Sequence, residues 1–176
     1  MPRWRTLGAA SLALIAAGCA PLPPHHPPRA HTRAAAAGCQ VGTAWSTAYA
    51  RTRILGQLAP GQLRVLHYHL SVHPGRGEPC GSLVLTKNLA LQRGPGPLHI
   101  VEVRNFYTHG RLVADHRGFI GREITTSGIY QARVTLPIPQ QAPPGRYDVV
   151  SLLYARWGHG SPALIARAST TFRIAP

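Results

Sequence analysis

The chain has 176 residues, with 19 Lys and Arg against 5 Asp and Glu, 10 His and 3 Cys, and a formal net charge of +14. That length allows one domain of ordinary size. Five acids leave little for mechanisms built on paired carboxylates, and no basic region with interleaved aromatics points to nucleic acid. So one-signed a surface favours anionic partners, such as phosphate-bearing head groups or an acidic protein face.

The chain opens with MPRWRTLGAASLALIAAGC, ending at Cys19. Arg3 and Arg5 are followed by an apolar run from Leu7 to Ala17, too short for a permanent membrane span of roughly 20 residues. Small residues, Ala16-Ala17-Gly18, precede Cys19 directly. Read from the residues alone, this is a secretory leader. It also resembles a bacterial lipobox, with Ala16 where leucine is commoner. The resemblance implies that residues 1–18 are a lipoprotein signal peptide. Cys19 would then carry a diacylglyceryl group and palmitate-type chains as the new N-terminus, giving the protein its membrane contact. Ala20 in place of Asp implies the outer membrane, facing the periplasm.

Residues 19–38 include prolines at 21, 23, 24, 27 and 28, which favour an extended, polyproline-like tether. His25, His26 and His31 lie in it without the fixed geometry a metal site needs. The texture changes at Cys39, so the folded domain is expected over 39–176. In an exported chain, Cys39 and Cys80 are expected to form a disulfide. There is no CxxC redox pair, no CxxCH haem site and no paired spacing for zinc.

From Cys39 on, short alternating runs are separated by Gly and Pro clusters, the pattern of a β-sandwich or barrel. Val41 to Leu58 reads as either a short helix or an irregular lead-in strand. Leu63 to Val72 reads as a strand with Leu66, Tyr68, Leu70 and Val72 on one face and Val65, His67, His69 and Ser71 on the other. Leu83 to Leu91 alternates around a polar Thr86-Lys87-Asn88, expected to be a bulge or a turn between two short strands. Gly94-Pro95-Gly96-Pro97 breaks the chain. Leu98 to Thr108 has apolar residues at both parities and is expected to be covered on both sides. His109-Gly110 turns it into Arg111 to Asp115.

Tyr130 to Ile138 has the cleanest alternation, with Pro137 and Pro139 confining its end to an edge. Tyr147 to Trp157 follows the Pro143-Pro144-Gly145 turn. Gly158-His159-Gly160-Ser161 reads as a hairpin turn. The last strand is expected over about Ala163 to Ile174, with Leu164, Phe172 and Ile174 inward.

A P-G-x-Y turn opening an apolar strand, after a strand ending L-P-I-P, resembles bacterial immunoglobulin-like and macroglobulin-like modules. The resemblance covers about Leu98 to Ile174. It implies an all-β, immunoglobulin-like β-sandwich of about seven strands. It also implies that the Tyr147 hydroxyl bonds back to upstream backbone, as in a tyrosine corner. On the residues alone, Tyr147 is equally a plain core aromatic.

For chemistry, the strongest cluster is His67, His69 and His73. Alternate strand residues point the same way about 6.5–7 Å apart, so an H-x-H pair with His73 from the adjoining turn suits copper or zinc. No G-x-S-x-G elbow is present, and Asp115-His116 has no identifiable nucleophile. The expected function is therefore a membrane-anchored, non-catalytic binding or scaffolding module. Its partner would be an anionic envelope component or an envelope protein, not nucleic acid. Metal handling is the alternative.

Overall fold

The computed structural model describes Cys39 and residues 48–176. The expected leader over 1–18, the expected lipidation at Cys19 and the expected tether over 19–38 lie outside these residues. The elements are β1 (Ala50–Ile54), β2 (Leu63–His73), β3 (Arg76–Gly77), β4 (Ser82–Arg93), β5 (Leu98–Thr108), β6 (Arg111–Phe119), β7 (Gly128–Pro137), β8 (Gly145–Trp157) and β9 (Ala163–Ile174). One sheet has the order β1-β7-β4-β2, the other β3-β9-β8-β5-β6. Every pairing is antiparallel except that of β3 with β9.

The chain crosses between sheets from β4 to β5. It returns with β7 to pair beside β4, then closes the second sheet with the β8–β9 hairpin against β5. This is the connectivity of an immunoglobulin-like sandwich. The expected all-β sandwich is what the chain forms, with nine strands among the described residues rather than about seven. Two of the nine, β1 and β3, are short, five and two residues long.

The turns follow their residues. His109 and Gly110 both have positive φ, 49° and 73°, and they join Thr108 to its partner Arg111, the conformation of a two-residue type I′ hairpin. Where β4 ends, a Cβ on Gly94 would lie 1.8 Å from the Ala59 carbonyl oxygen, so only glycine lets these backbones pass. Arg93, buried beside it, donates to the carbonyls of Gly94, Ile124 and Gly96. One guanidinium thus holds two loops.

Four expectations are corrected. β4 runs unbroken through Thr86-Lys87-Asn88, paired with β7 without any shift in register. The polar centre is neither bulge nor turn; Lys87 simply takes the inward parity. The irregularity lies on β2 instead, where the register shifts between Val65 and His67. The extra residue turns Leu66 out, half-exposed, and puts Val65 against the core. On β9 a register shift opposite Leu153 and Tyr154 turns Leu164 outward and leaves Ile165 packed against the core. Finally, β5 is buried on its inner face only; Val101 and Val103 on its outer face are half-buried.

The core has two apolar clusters. One gathers Leu89, Leu91, Ile100, Ile124, Tyr130 and Leu153. The other gathers Leu70, Leu83, Leu85, Val134, Val149 and Phe172. Inward alternation on the central strands supplies both, and each fully buried Leu or Ile contributes about 1.5–3 kcal/mol.

Candidate binding face and buried ionic layer

Between the two clusters the inward parity of three strands places polar residues. Lys87 stands between Leu85 and Leu89 on β4, Glu102 between Ile100 and Arg104 on β5, and Ser151 between Val149 and Leu153 on β8. Lys87 and Glu102 are 1% and 3% exposed at the side chain, and Lys87 Nζ lies 2.7 Å from Glu102 Oε2. This ion pair ties the sheets together across the sandwich. Arg104 Nε lies 3.6 Å from Glu102 Oε1. Ser151 Oγ donates to the same Oε1 at 2.9 Å, and Tyr68 Oη stands 2.7 Å from Ser151 Oγ. The Lys87 ammonium also lies 4.5 Å from the centroid of the Tyr49 ring, a cation–π contact.

The charges oppose desolvation unequally. Burial pushes the Glu102 carboxyl up, but the Lys87 and Arg104 charges outweigh it and hold it below the ordinary carboxylate value. For Lys87, burial dominates over Glu102 and brings the ammonium below its ordinary value. Burial raises Tyr68, helped by the nearby Glu102. The layer is buried, and among the described residues the Tyr49 hydroxyl finds no hydrogen-bond partner.

The outer face of the five-stranded sheet differs. Register aligns Leu164 (β9), Tyr154 (β8), Val101 (β5) and Phe119 (β6) in one row. The row on one side reads Arg167, Leu152, Val103 and Arg117, and the row on the other pairs Arg156 with His99. Phe119 and Leu164, at the flanks, are 46% and 54% exposed. Between them lies a hollow of about 560 Å³ floored by Val101 and Val103, with Arg117, Phe119, Tyr154 and Arg156 around it. It is an apolar seat with a cationic rim. Asp115 and Asp148 stand two and three rows from the Tyr154 row, Asp148 already paired with Arg146 at 3.2 Å.

The residues singled out by sequence fall as follows. Cys39 and Cys80 are joined in a disulfide. Tyr147 Oη donates to the Pro143 carbonyl at 2.9 Å and its ring stacks on Phe172, so the tyrosine corner forms. His67 and His69 lie side by side on the outer face of the four-stranded sheet, ring centroids 5.9 Å apart. His73 sits at the end of β2, opposite Val84, with Ser71 between it and His69. No group of three or more His, Cys, Asp or Glu able to hold a metal occurs among the described residues. Asp115 and His116 lie opposite Asn105 and Arg104 respectively, so they face opposite sides of their sheet.

Sequence reasoning passed over the ionic layer, although its signal was present. Lys87 continues the parity of Leu83, Leu85, Leu89 and Leu91, and Glu102 that of Leu98 and Ile100. It also passed over the cation-rimmed row, which needs the pairing of four strands to appear.

No protein-family model and no curated protein matches the sequence. Among solved structures, the chain is similar to the CARDB domain of a Pyrococcus furiosus protein in complex with di-metal ions, at 8% identity and a TM-score of 0.43, covering 68% of this chain and 97% of that one. It is similar also to the alkylpurine DNA glycosylase AlkC of Pseudomonas fluorescens bound to DNA containing an abasic site analog, at 16% identity and a TM-score of 0.40, over 67% of this chain and 32% of that one. A third likeness is to the sporulation control protein Spo0M of Bacillus subtilis, at 13% identity and a TM-score of 0.28, over 65% and 49% of the two chains.

Proposed function

We propose that this protein is a non-catalytic binding module, held at the bacterial cell envelope by a lipid on Cys19, with its sandwich presented on a proline tether. Its partner is an anionic envelope component or an envelope protein, and its location is the periplasmic face of the outer membrane. The observation that carries the binding reading is the apolar row across β9, β8, β5 and β6 bracketed by Arg117, Arg156 and Arg167. Half-exposed apolar side chains rimmed by charge mark interaction surfaces, and guanidinium groups suit phosphate and carboxylate oxygens. The leader supports the anchor, and the scarcity of acids supports the absence of catalysis.

The second reading, copper or zinc handling, has the paired imidazoles of His67 and His69 in its favour. It lacks a third donor among the described residues.

Mass spectrometry of the protein from envelope fractions tests the anchor. The expected product begins at Cys19 with a diacylglyceryl and acyl mass added, and stays with membranes through a salt wash. An unmodified thiol at position 19 on a freely diffusing product would contradict it.

A further inference from the structure

We infer that the cation-rimmed hollow on the outer face of the five-stranded sheet docks onto anionic phospholipid. The arginines would take the phosphates, and the apolar row would enter the acyl boundary. This rests on the binding-face reading above and names the partner of that face.

Three features of the face favour a lipid surface over other occupants. The first is the order of chemistry across it. Phe119 and Leu164 stand at opposite ends of one row, three strand spacings or about 14 Å apart, each about half-exposed. Arg156 and His99 occupy the next row one way, Arg117 and Arg167 the next row the other way. Apolar prongs bracketed by cations match an anionic interface, where apolar groups enter the acyl boundary and each basic side chain adds attraction. The second is the rim chemistry. Arg117 and Arg156 line the hollow, Arg167 stands beyond Leu152 in the adjoining row, all three are exposed, and a guanidinium fork binds phosphate oxygens bidentately.

The third is the sign of the charge. A second copy seated face to face would set arginine rows against arginine rows, in a chain of net charge +14. Charge opposes self-association there.

The tether permits this pose. Cys80 lies at the end of the sandwich away from the hollow, its amide bonded to the Ile138 carbonyl. From Cys19 to Cys39 the chain has twenty residue steps, which at about 3.1 Å each reach about 60 Å when extended. The longest strands, at about 3.3 Å per residue, measure only about 43 Å. A head tied to the bilayer at Cys19 can therefore lie on that same bilayer.

Vesicle flotation tests the proposal, using the otherwise full-length mature chain with Cys19→Ser so that no acyl chain contributes. Vesicles of phosphatidylcholine with phosphatidylglycerol should float the protein; phosphatidylcholine alone should not. The triple substitution Arg117→Glu, Arg156→Glu and Arg167→Glu should weaken binding by well over a hundredfold, since losing one basic group alone costs about fivefold. Arg53→Glu, Arg64→Glu and Arg76→Glu together change the net charge equally and should weaken it far less. Phe119→Ala should lose affinity at high salt, where the apolar contribution persists. Equal losses from the two triple substitutions would mean adsorption by net charge and would overturn the proposal.

Envelope crosslinks lost in the Arg117/Arg156/Arg167 variant, with vesicle binding unchanged, would assign the face to a protein partner. The lipid inference would then fall while the binding-face reading stood. Normal crosslinks and normal vesicle binding in that variant would remove both.

Discussion

Glu102 is the hinge of the buried layer, because two cations depend on it. Lys87 lies 2.7 Å from one of its oxygens and Arg104 3.6 Å from the other. Lys87→Met leaves Glu102 its Arg104 partner, whereas Glu102→Gln strands two buried cations. Breaking a buried ion pair from one side costs about 3–5 kcal/mol, and urea denaturation should place Glu102→Gln in that range with Lys87→Met below it. The Glu102→Gln penalty should also shrink as pH rises, because Lys87, already held below its ordinary pKa by burial, escapes by losing its proton.

In the native protein both shifts act in one direction. Glu102 is depressed below 4.5, so its contribution is present above that value and fades as pH falls through its folded pKa. Lys87 binds fewer protons folded than unfolded in the window below 10.5, so stability rises with pH there. A Glu102→Gln penalty that is flat with pH, or smaller than that of Lys87→Met, would refute this ordering.

Element by element, the sequence disclosed much and hid specific things. Strict alternation placed β7 and β8 within a few residues, because strand parity and Gly or Pro boundaries are local properties. The tyrosine corner is implied by the resemblance that the P-G-x-Y turn carries, whereas the residues alone leave Tyr147 equally a core aromatic; the bond it makes reaches four residues back, to Pro143. Bulges were not visible. The shifts at Leu66 and near Ile165 are set by the partner strand, and parity read along one chain cannot sense them. Lys87 misled for the opposite reason. A lysine in a strand signals a break unless its counter-charge is known, and Glu102 sits on the other sheet.

The connection of Cys39 to Cys80 ties the approach to β1 to the approach to β4. In the chain-entropy picture a loop of about 40 residues contributes roughly 3–4 kcal/mol. Replacing both cysteines with alanine should lower unfolding free energy by about that amount while leaving the β-sheet circular dichroism unchanged. A native-like melting temperature in the double variant would show that the bond contributes little.

For the whole molecule, charge, anchor and sheet face form one argument. The excess of arginine gives a strongly basic chain, and the partners proposed for it are anionic. The proposed lipid on Cys19 supplies proximity, so that even a weak face is occupied at high effective concentration. The buried Lys87–Glu102 pair ties the two sheets to one another, and the corner tyrosine fixes the turn into β8, so the outer row of the five-stranded sheet is presented on a fixed frame. The rows themselves became visible only when four strands were paired, since Leu164 and Phe119 are 45 residues apart in sequence.

The most direct measurement is site-specific photo-crosslinking in intact cells, with the photoreactive residue placed in turn at Phe119, Leu164, His69 and Gln131. Crosslinks to an envelope component should form from Phe119 and Leu164, fade when Arg117 and Arg156 are replaced, and be absent from the opposite sheet at His69 and Gln131. Strong crosslinks from His69 and Gln131 with none from Phe119 or Leu164 would put the contact on the wrong side of the sandwich and contradict the account.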